Sequence, residues 1–234
     1  MPAPASARAN RAGRLLGRYT LAVKLYTYFR SSAAYRVRIA LHLKGLAFEA
    51  VPVHLRRGEQ AAAAYLQANP AGLVPALEVS GEVLSQSLSI IEYLDEVHPR
   101  PPLLPSGARD RAFVRSVALS IACDIHPLDN LRVLQYLQSD LGIDDAARDR
   151  WYAHWIAVGF SGLEARLSRD ARVGRFCFGE TPTLADVCLV PQVANAERLK
   201  CTLAPYPTLC RIAANARELA AFRAAAPDSQ PDPE

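Results

Sequence analysis

A strand that runs into a helix through a pair of hydroxyl side chains constrains this chain more than any other stretch. Residues 23–28 form a strand-like run of β-branched and aromatic side chains. From Ala34 to Lys44, the residues Val37, Ile39, Ala40, Leu41 and Leu43 fall at largely helical spacing until Gly45 stops the pattern. Ser31 and Ser32 stand between the two, at the helix start. A helix begins with N–H groups that lack intrahelical acceptors and with the positive end of its macrodipole, so a hydroxyl there joins a natural anion site. A thiolate is one such anion. The same serines equally serve as N-caps, worth about 1 kcal/mol to the helix, and the local pattern leaves both roles open.

The rest of the first hundred residues repeats the theme. Residues 48–53 read as a second strand, and the alanine-rich segment 59–67 as a second helix ending at Asn69-Pro70. Residues 76–79 and 82–84, separated by Ser80-Gly81, have the spacing of a tight hairpin, and Leu88 to Val97 reads as a third helix. This β-α-β-α-β-β-α order matches a thioredoxin-like unit, with Val74-Pro75 leading into its third strand. A cis bond there would let Val74 present its backbone to an extended peptide ligand. Gln86-Ser87 begins the third helix, where a hydroxyl and free N–H groups can hold a carboxylate.

Pro99-Arg-Pro-Pro-Leu-Leu-Pro105 is a stiff connector that cannot continue a helix. Beyond it every periodic segment is helical, at 108–124, 127–141, 146–168, 183–199 and 207–224. Thr183-Leu-Ala-Asp186 has the spacing of a capping box and belongs to folding. The predicted organisation is therefore a thioredoxin-like unit over 23–98, a linker over 99–107 and an all-helical unit over 108–234, an α+β chain. The proline-rich acidic tail from Pro227 is expected to be loosely ordered. Residues 1–22 carry Arg8, Arg11, Arg14 and Arg18 and no acid. They read as a transit peptide, a disordered extension or a translation start assigned too far upstream.

Composition narrows the function classes. The formal charge of +4 resides wholly in that arginine-rich segment, and the balance over the remaining residues is zero, so no basic face argues for nucleic acid. No run approaches the roughly 20 apolar residues of a membrane helix. The five cysteines form no Cys-x-x-Cys pair and read as reduced, mostly buried thiols of a cytoplasmic protein. The histidines form no metal motif, and no metal site is predicted. His126 and Asn130, four residues apart in Cys123-Asp-Ile-His-Pro-Leu-Asp-Asn130, are placed to share one helix face.

Ser31-Ser32-Ala33-Ala34-Tyr35-Arg36-Val37-Arg38-Ile39-Ala40-Leu41 closely resembles the signature of the zeta class of glutathione transferases, Ser-Ser-Cys-x-x-Arg-Val-Arg-Ile-Ala-Leu. The departure is Ala33, where many members carry cysteine. The resemblance extends over roughly residues 24–230. It includes Val74-Pro75, Gln86-Ser87, Ile125-His-Pro-Leu-Asp-Asn130 and Val190-Pro-Gln-Val-Ala-Asn-Ala-Glu-Arg198.

The resemblance implies a glutathione transferase fold and a homodimer. It also implies glutathione as cofactor, with Ser31 and Ser32 at the sulfur. Gln60, Val74, Gln86, Ser87, His126 and Asn130 would then contact the tripeptide, and Arg198 and Arg30 the substrate's carboxylates. The implied activity is glutathione-dependent cis–trans isomerisation of maleylacetoacetate to fumarylacetoacetate, in tyrosine and phenylalanine breakdown. The related alternatives are isomerisation of maleylpyruvate and general transferase chemistry. A glutathione-binding module without turnover is the reading from a different class. Tyr26 and Tyr28, near the end of the first strand, are read as packing residues.

Overall fold

The computed structural model describes residues 23–232; the expectations for residues 1–22 lie outside them. Strand β1 (Val23–Thr27) pairs in parallel with β2 (Glu49–Pro52) and antiparallel with β3 (Ala76–Val79), and β4 (Glu82–Ser85) completes a sheet of order β2-β1-β3-β4. Helix α1 (Ser32–Leu43) connects β1 to β2, and α3 (Ser87–Val97) follows β4. The β3–β4 hairpin forms as its sequence requires: Ser80 and Gly81 both take positive φ, 54° and 83°, the geometry of a turn matched to strand twist. The Val74-Pro75 bond is cis.

The segment 59–67 is not the single helix its alanines predict. Glu59–Ala61 makes one tight turn, Ala62 is extended, and only Ala63–Ala68, α2, is α-helical. Propensity loses here to a local bond, because the Glu59 carboxylate accepts the His54 N–H at 2.7 Å and holds residue 59 in the preceding loop.

Every residue of α1 from Ser32 to Leu41 is buried. A helix covered on all sides must lie between layers, and α1 packs against α3 on one side and against two later helices on the other. The connector is fixed to this layer rather than free. Lys44, which ends α1, donates to Asp95 and to the Pro101 carbonyl, while Leu103 N–H donates to the same Asp95 at 2.8 Å.

The second part of the chain is helical: α4 (Ala108–Leu119), α5 (Leu131–Ser139), α6 (Asp145–Leu167), α7 (Leu184–Arg198), α8 (Pro207–Arg217) and α9 (Ala220–Ala225). α4 widens into a π turn over Ser120–Ile125 that delivers His126. Gly159 on α6 is required beside it, since a Cβ there would stand 2.3 Å from the Ile125 side chain. Two predicted helices are corrected. The one expected from 127 begins at 131 because Asn130 is its N-cap, accepting from Arg132 N–H. The one expected over 207–224 is divided at Leu219, whose backbone is extended.

The predicted capping box is present. Thr183 N–H and hydroxyl both donate to Asp186, whose other oxygen accepts Cys177 N–H at 2.7 Å. The tail expected to be loosely ordered is bonded over its described residues, where Gln230 donates to the Ala224 and Ala226 carbonyls and Asp232 accepts from Phe29 N–H, while residues 233–234 lie outside them. Among the described residues no cysteine is in a disulfide, but only Cys177 and Cys188 are buried. No described helix is long and apolar enough to cross a membrane.

Candidate active site

A cleft of about 730 Å³ opens where the N-terminus of α1 faces α5, α6 and α7. Ser31, Ser32, Arg30, Gln60, Val74, His126, Asn130 and Arg198 all line it, although they are drawn from positions up to 168 residues apart. Gln86 and Ser87 do not. They stand at the start of α3, which the Ala76–Ser85 pairing brings beside Val74 and Pro75 at the cleft's edge.

The two serines are used differently. Ser31 is the N-cap of α1 and accepts from Ala34 N–H at 3.2 Å, so its own proton remains available to donate. The Oγ of Ser32 lies 3.0 Å from His126 Nδ1, and Asn130 Nδ2 lies 3.3 Å from His126 Nε2. The helical spacing of His126 and Asn130 thus becomes contact, and a line of polar groups runs from α1 to the cap of α5. Burial, then the positive charges of Arg36 and Arg132, lowers the His126 pKa to about 3. Its ring is neutral at physiological pH and serves as a hydrogen-bonding group rather than a cation.

The loop before β3 forms the opposite wall. Gly72 has a φ of 60°, and a Cβ there would press to 3.1 Å on the Gln60 carbonyl, so glycine suits the close approach of this loop. Tyr65 hydroxyl and Asn69 amide both donate to the Leu73 carbonyl, at 2.6 and 2.7 Å, and fix the loop. Tyr26 turns away and donates to Glu78 across the sheet. Tyr28, read as packing, is buried at 3 % exposure with its ring edge-on to Phe29 and His54, but it also reaches the cleft wall.

Residues the sequence reading passed over complete the cleft. Arg56, Arg132 and Arg148 also line it beside Arg30 and Arg198, and Arg148 is paired with Asp145 and Asp149. Gln192, Asn195 and Arg198 follow at intervals of three along α7 and present one polar stripe, a pattern visible by counting back from Arg198. Gln192 is fully buried, and neither end of its amide has a partner among the described residues. Asp129 is 8 % exposed with both carboxylate oxygens unpartnered, and burial raises its pKa to about 8.

The match to known proteins follows this geometry. Residues 30–97 match the family model described as Glutathione S-transferase, N-terminal domain. The chain is 54% identical over 211 residues to the "Probable maleylacetoacetate isomerase" of Vibrio cholerae, covering 89% of this chain and 97% of that protein. It superposes with a TM-score of 0.89 and 48% identity on a bacterial zeta-class glutathione transferase, maleyl pyruvate isomerase. That match covers 90% of this chain and all of that one. The chain belongs to the zeta class of glutathione transferases. A further zeta-like neighbour is maleylacetoacetate isomerase from Methylobacterium extorquens AM1, solved with bound malonate and GSH. Its TM-score is 0.88 at 40% identity, over 90% of this chain and 99% of that one. The α+β architecture, a thioredoxin-like four-stranded sheet followed by helices, is that of this class.

Proposed function

We propose that this protein is a glutathione-dependent isomerase that converts maleylacetoacetate to fumarylacetoacetate. The observation that carries the reading is the pairing, in one cleft, of the Ser31–Ser32 helix terminus with the cations Arg30, Arg132 and Arg198. A thiolate and a dicarboxylic acid are both anions, and such a cleft suits both. The class membership and the relatives that carry this activity in their names support the same conclusion.

The residues fit glutathione. The cleft volume lies within the usual range for small-molecule sites, Val74 offers its backbone along one wall, and Ser87 adds a hydroxyl beside that wall. Bound glutathione would supply a thiolate for reversible addition to the cis double bond, the chemistry that permits rotation about it. Ser31 holds the sulfur as an anion by donating a hydrogen bond from its hydroxyl beside the free N–H groups of α1. His126, neutral, fixes the Ser32 hydroxyl. Gln60, Val74, Gln86, Ser87 and Asn130 bind the tripeptide backbone. Arg198 and Arg30 hold the substrate's carboxylates, and with Arg132 they favour the negative charge that develops on its keto oxygen. The cofactor is regenerated in each turnover.

The same reading takes residues 23–98 as the glutathione-binding unit, 99–107 as linker and 108–234 as the substrate unit, in a cytoplasmic homodimer. Maleylpyruvate is the second substrate to consider, favoured by the 48% identity to a maleyl pyruvate isomerase. The test is the rate of loss of each cis substrate with purified protein, with and without glutathione, coupled to a hydrolase specific for the trans product. Faster glutathione-dependent loss of maleylacetoacetate supports the proposal. Preference for maleylpyruvate transfers the protein to the second reading, and glutathione binding without turnover of either leaves a binding module.

A further inference from the structure

Helix α1 buries two arginines, and they are treated in opposite ways. Each nitrogen of Arg38 donates to a neutral acceptor: Thr27 Oγ1, the carbonyls of Tyr28 and Phe29, and the carbonyl of Ala225. Arg36 is 1 % exposed, yet it makes a single hydrogen bond, from Nη1 to Ser87 Oγ at 3.3 Å. Its Nε and Nη2 have no partner, and no carboxylate pairs with it among the described residues. A buried cation without a counter-ion costs several kcal/mol. An apolar side chain would fill the same place without that cost.

The position of Arg36 gives the charge a use. It lies a little over one turn into α1, below the terminus that carries Ser31 and Ser32, and its guanidinium touches the first residue of α3. A guanidinium can only donate, so Ser87 Oγ accepts and its O–H is left to donate elsewhere. The ionisable groups facing Arg36 are Cys123 on the π turn, Cys188 on α7 and His126. None of them is a carboxylate.

We propose that Arg36 is a positioning residue that acts as the buried counter-charge of bound glutathione. Its field reaches the sulfur held at the α1 terminus, and its hydrogen bond turns the Ser87 hydroxyl toward the γ-glutamyl carboxylate. This rests on the glutathione reading above. The charge is left unpaired in the protein because the ligand brings the partner.

The experiment separates the two arms and the parent reading. Wild-type protein is titrated calorimetrically with glutathione and with S-methylglutathione, which has no thiol. The acidity of the bound thiol is read from thiolate absorbance against pH. Arg36→Met and Arg36→Gln are then compared, with thermal unfolding as the folding control. Both variants are expected to raise the bound thiol's pKa by about one unit or more. Arg36→Met is expected to weaken S-methylglutathione about tenfold, while Arg36→Gln, which keeps an N–H for Ser87, retains most of that affinity. A folded variant of either kind with an unchanged thiol pKa overturns the inference. If Arg36→Met does not fold, Arg36→Gln decides the sulfur arm alone. Absence of glutathione binding by the wild type would remove the parent reading, and this inference with it.

Discussion

Ser31 accepts a bond from the helix backbone and keeps its proton, whereas Ser32 is committed to His126. Ser31→Ala is therefore expected to lower kcat/KM by about 100-fold, the scale for losing one donor to a developing anion. It should also cost about 1 kcal/mol of stability as a lost N-cap. Ala33→Cys, which restores the residue many class members carry, is expected to change kcat/KM by no more than about threefold, well below the effect of losing one such donor. Equal effects of the two substitutions in steady-state kinetics would remove Ser31 from the chemistry. Asp129 makes a different case, since no described residue pairs with its carboxyl and burial raises its pKa to about 8. An unfolded chain releases that proton near the ordinary carboxylate value, whereas the folded protein keeps it up to about 8. Its contribution to stability is thus present at low pH, falls as pH rises through that window, and levels off above it. Asp129→Asn is expected to remove this slope and to stabilise the protein at pH 8 by roughly 1–3 kcal/mol. Urea unfolding between pH 5 and 9, across the titration window of a group with a pKa of about 8, checks it. A parallel pH profile for wild type and variant would refute the assignment.

At the level of elements, what the sequence made legible was whatever depends on near neighbours. The strand–serine–helix junction, the Ser80-Gly81 hairpin and the Thr183–Asp186 box were each readable, because turn geometry and caps are set within a few residues. In the misreadings a specific bond or packing contact overrides the periodic pattern. Alanine propensity over 59–67 yields to the bond between Glu59 and His54, Asn130 restarts a helix in the middle of a periodic run, and Leu219 packs toward the core and breaks another. The cleft was half legible for the same reason: the serines and Arg198 stood in recognisable strings, but Asp129 and Gln192 matter through burial, which no local pattern reports. The capping box shows how much such a local device carries. Asp186 is fully buried and accepts three hydrogen bonds, from Cys177 N–H and from the N–H and hydroxyl of Thr183. Asp186→Ala leaves those donors without acceptors and is expected to cost about 3 kcal/mol. In a chain of this size that corresponds to a fall in Tm of roughly 6–12 °C by calorimetry. A fall within the error of the scan would assign the box a minor role.

Across the whole molecule, residues 222–232 close over the junction of β1 and α1. Tyr35 hydroxyl donates to the Phe222 carbonyl at 3.2 Å, Arg38 Nε to the Ala225 carbonyl at 3.0 Å, and Phe29 N–H to Asp232 at 3.4 Å. Arg38 is the centre of this closure, because its other donors hold Thr27, Tyr28 and Phe29, the residues that lead from β1 into the serine pair. Burial lowers its pKa to about 10, which leaves it charged throughout the physiological range. One guanidinium therefore ties α9 to the backbone that aims Ser31. Arg38→Met would strand four buried acceptors at once, and the expected cost is about 3–5 kcal/mol. Arg36→Met loses one bond, to Ser87, and discards an unpaired buried charge, so its expected cost is within about 1 kcal/mol. Hydrogen exchange should show the Arg38 variant opening residues 27–30 and 220–226 together, since one side chain joins them, while the Arg36 variant leaves both protected. If the two substitutions destabilise the fold equally, Arg36 is a structural residue like its neighbour two positions on. Unequal costs, with the larger at Arg38, mean that one arginine of this helix holds the fold closed and the other is retained for the ligand.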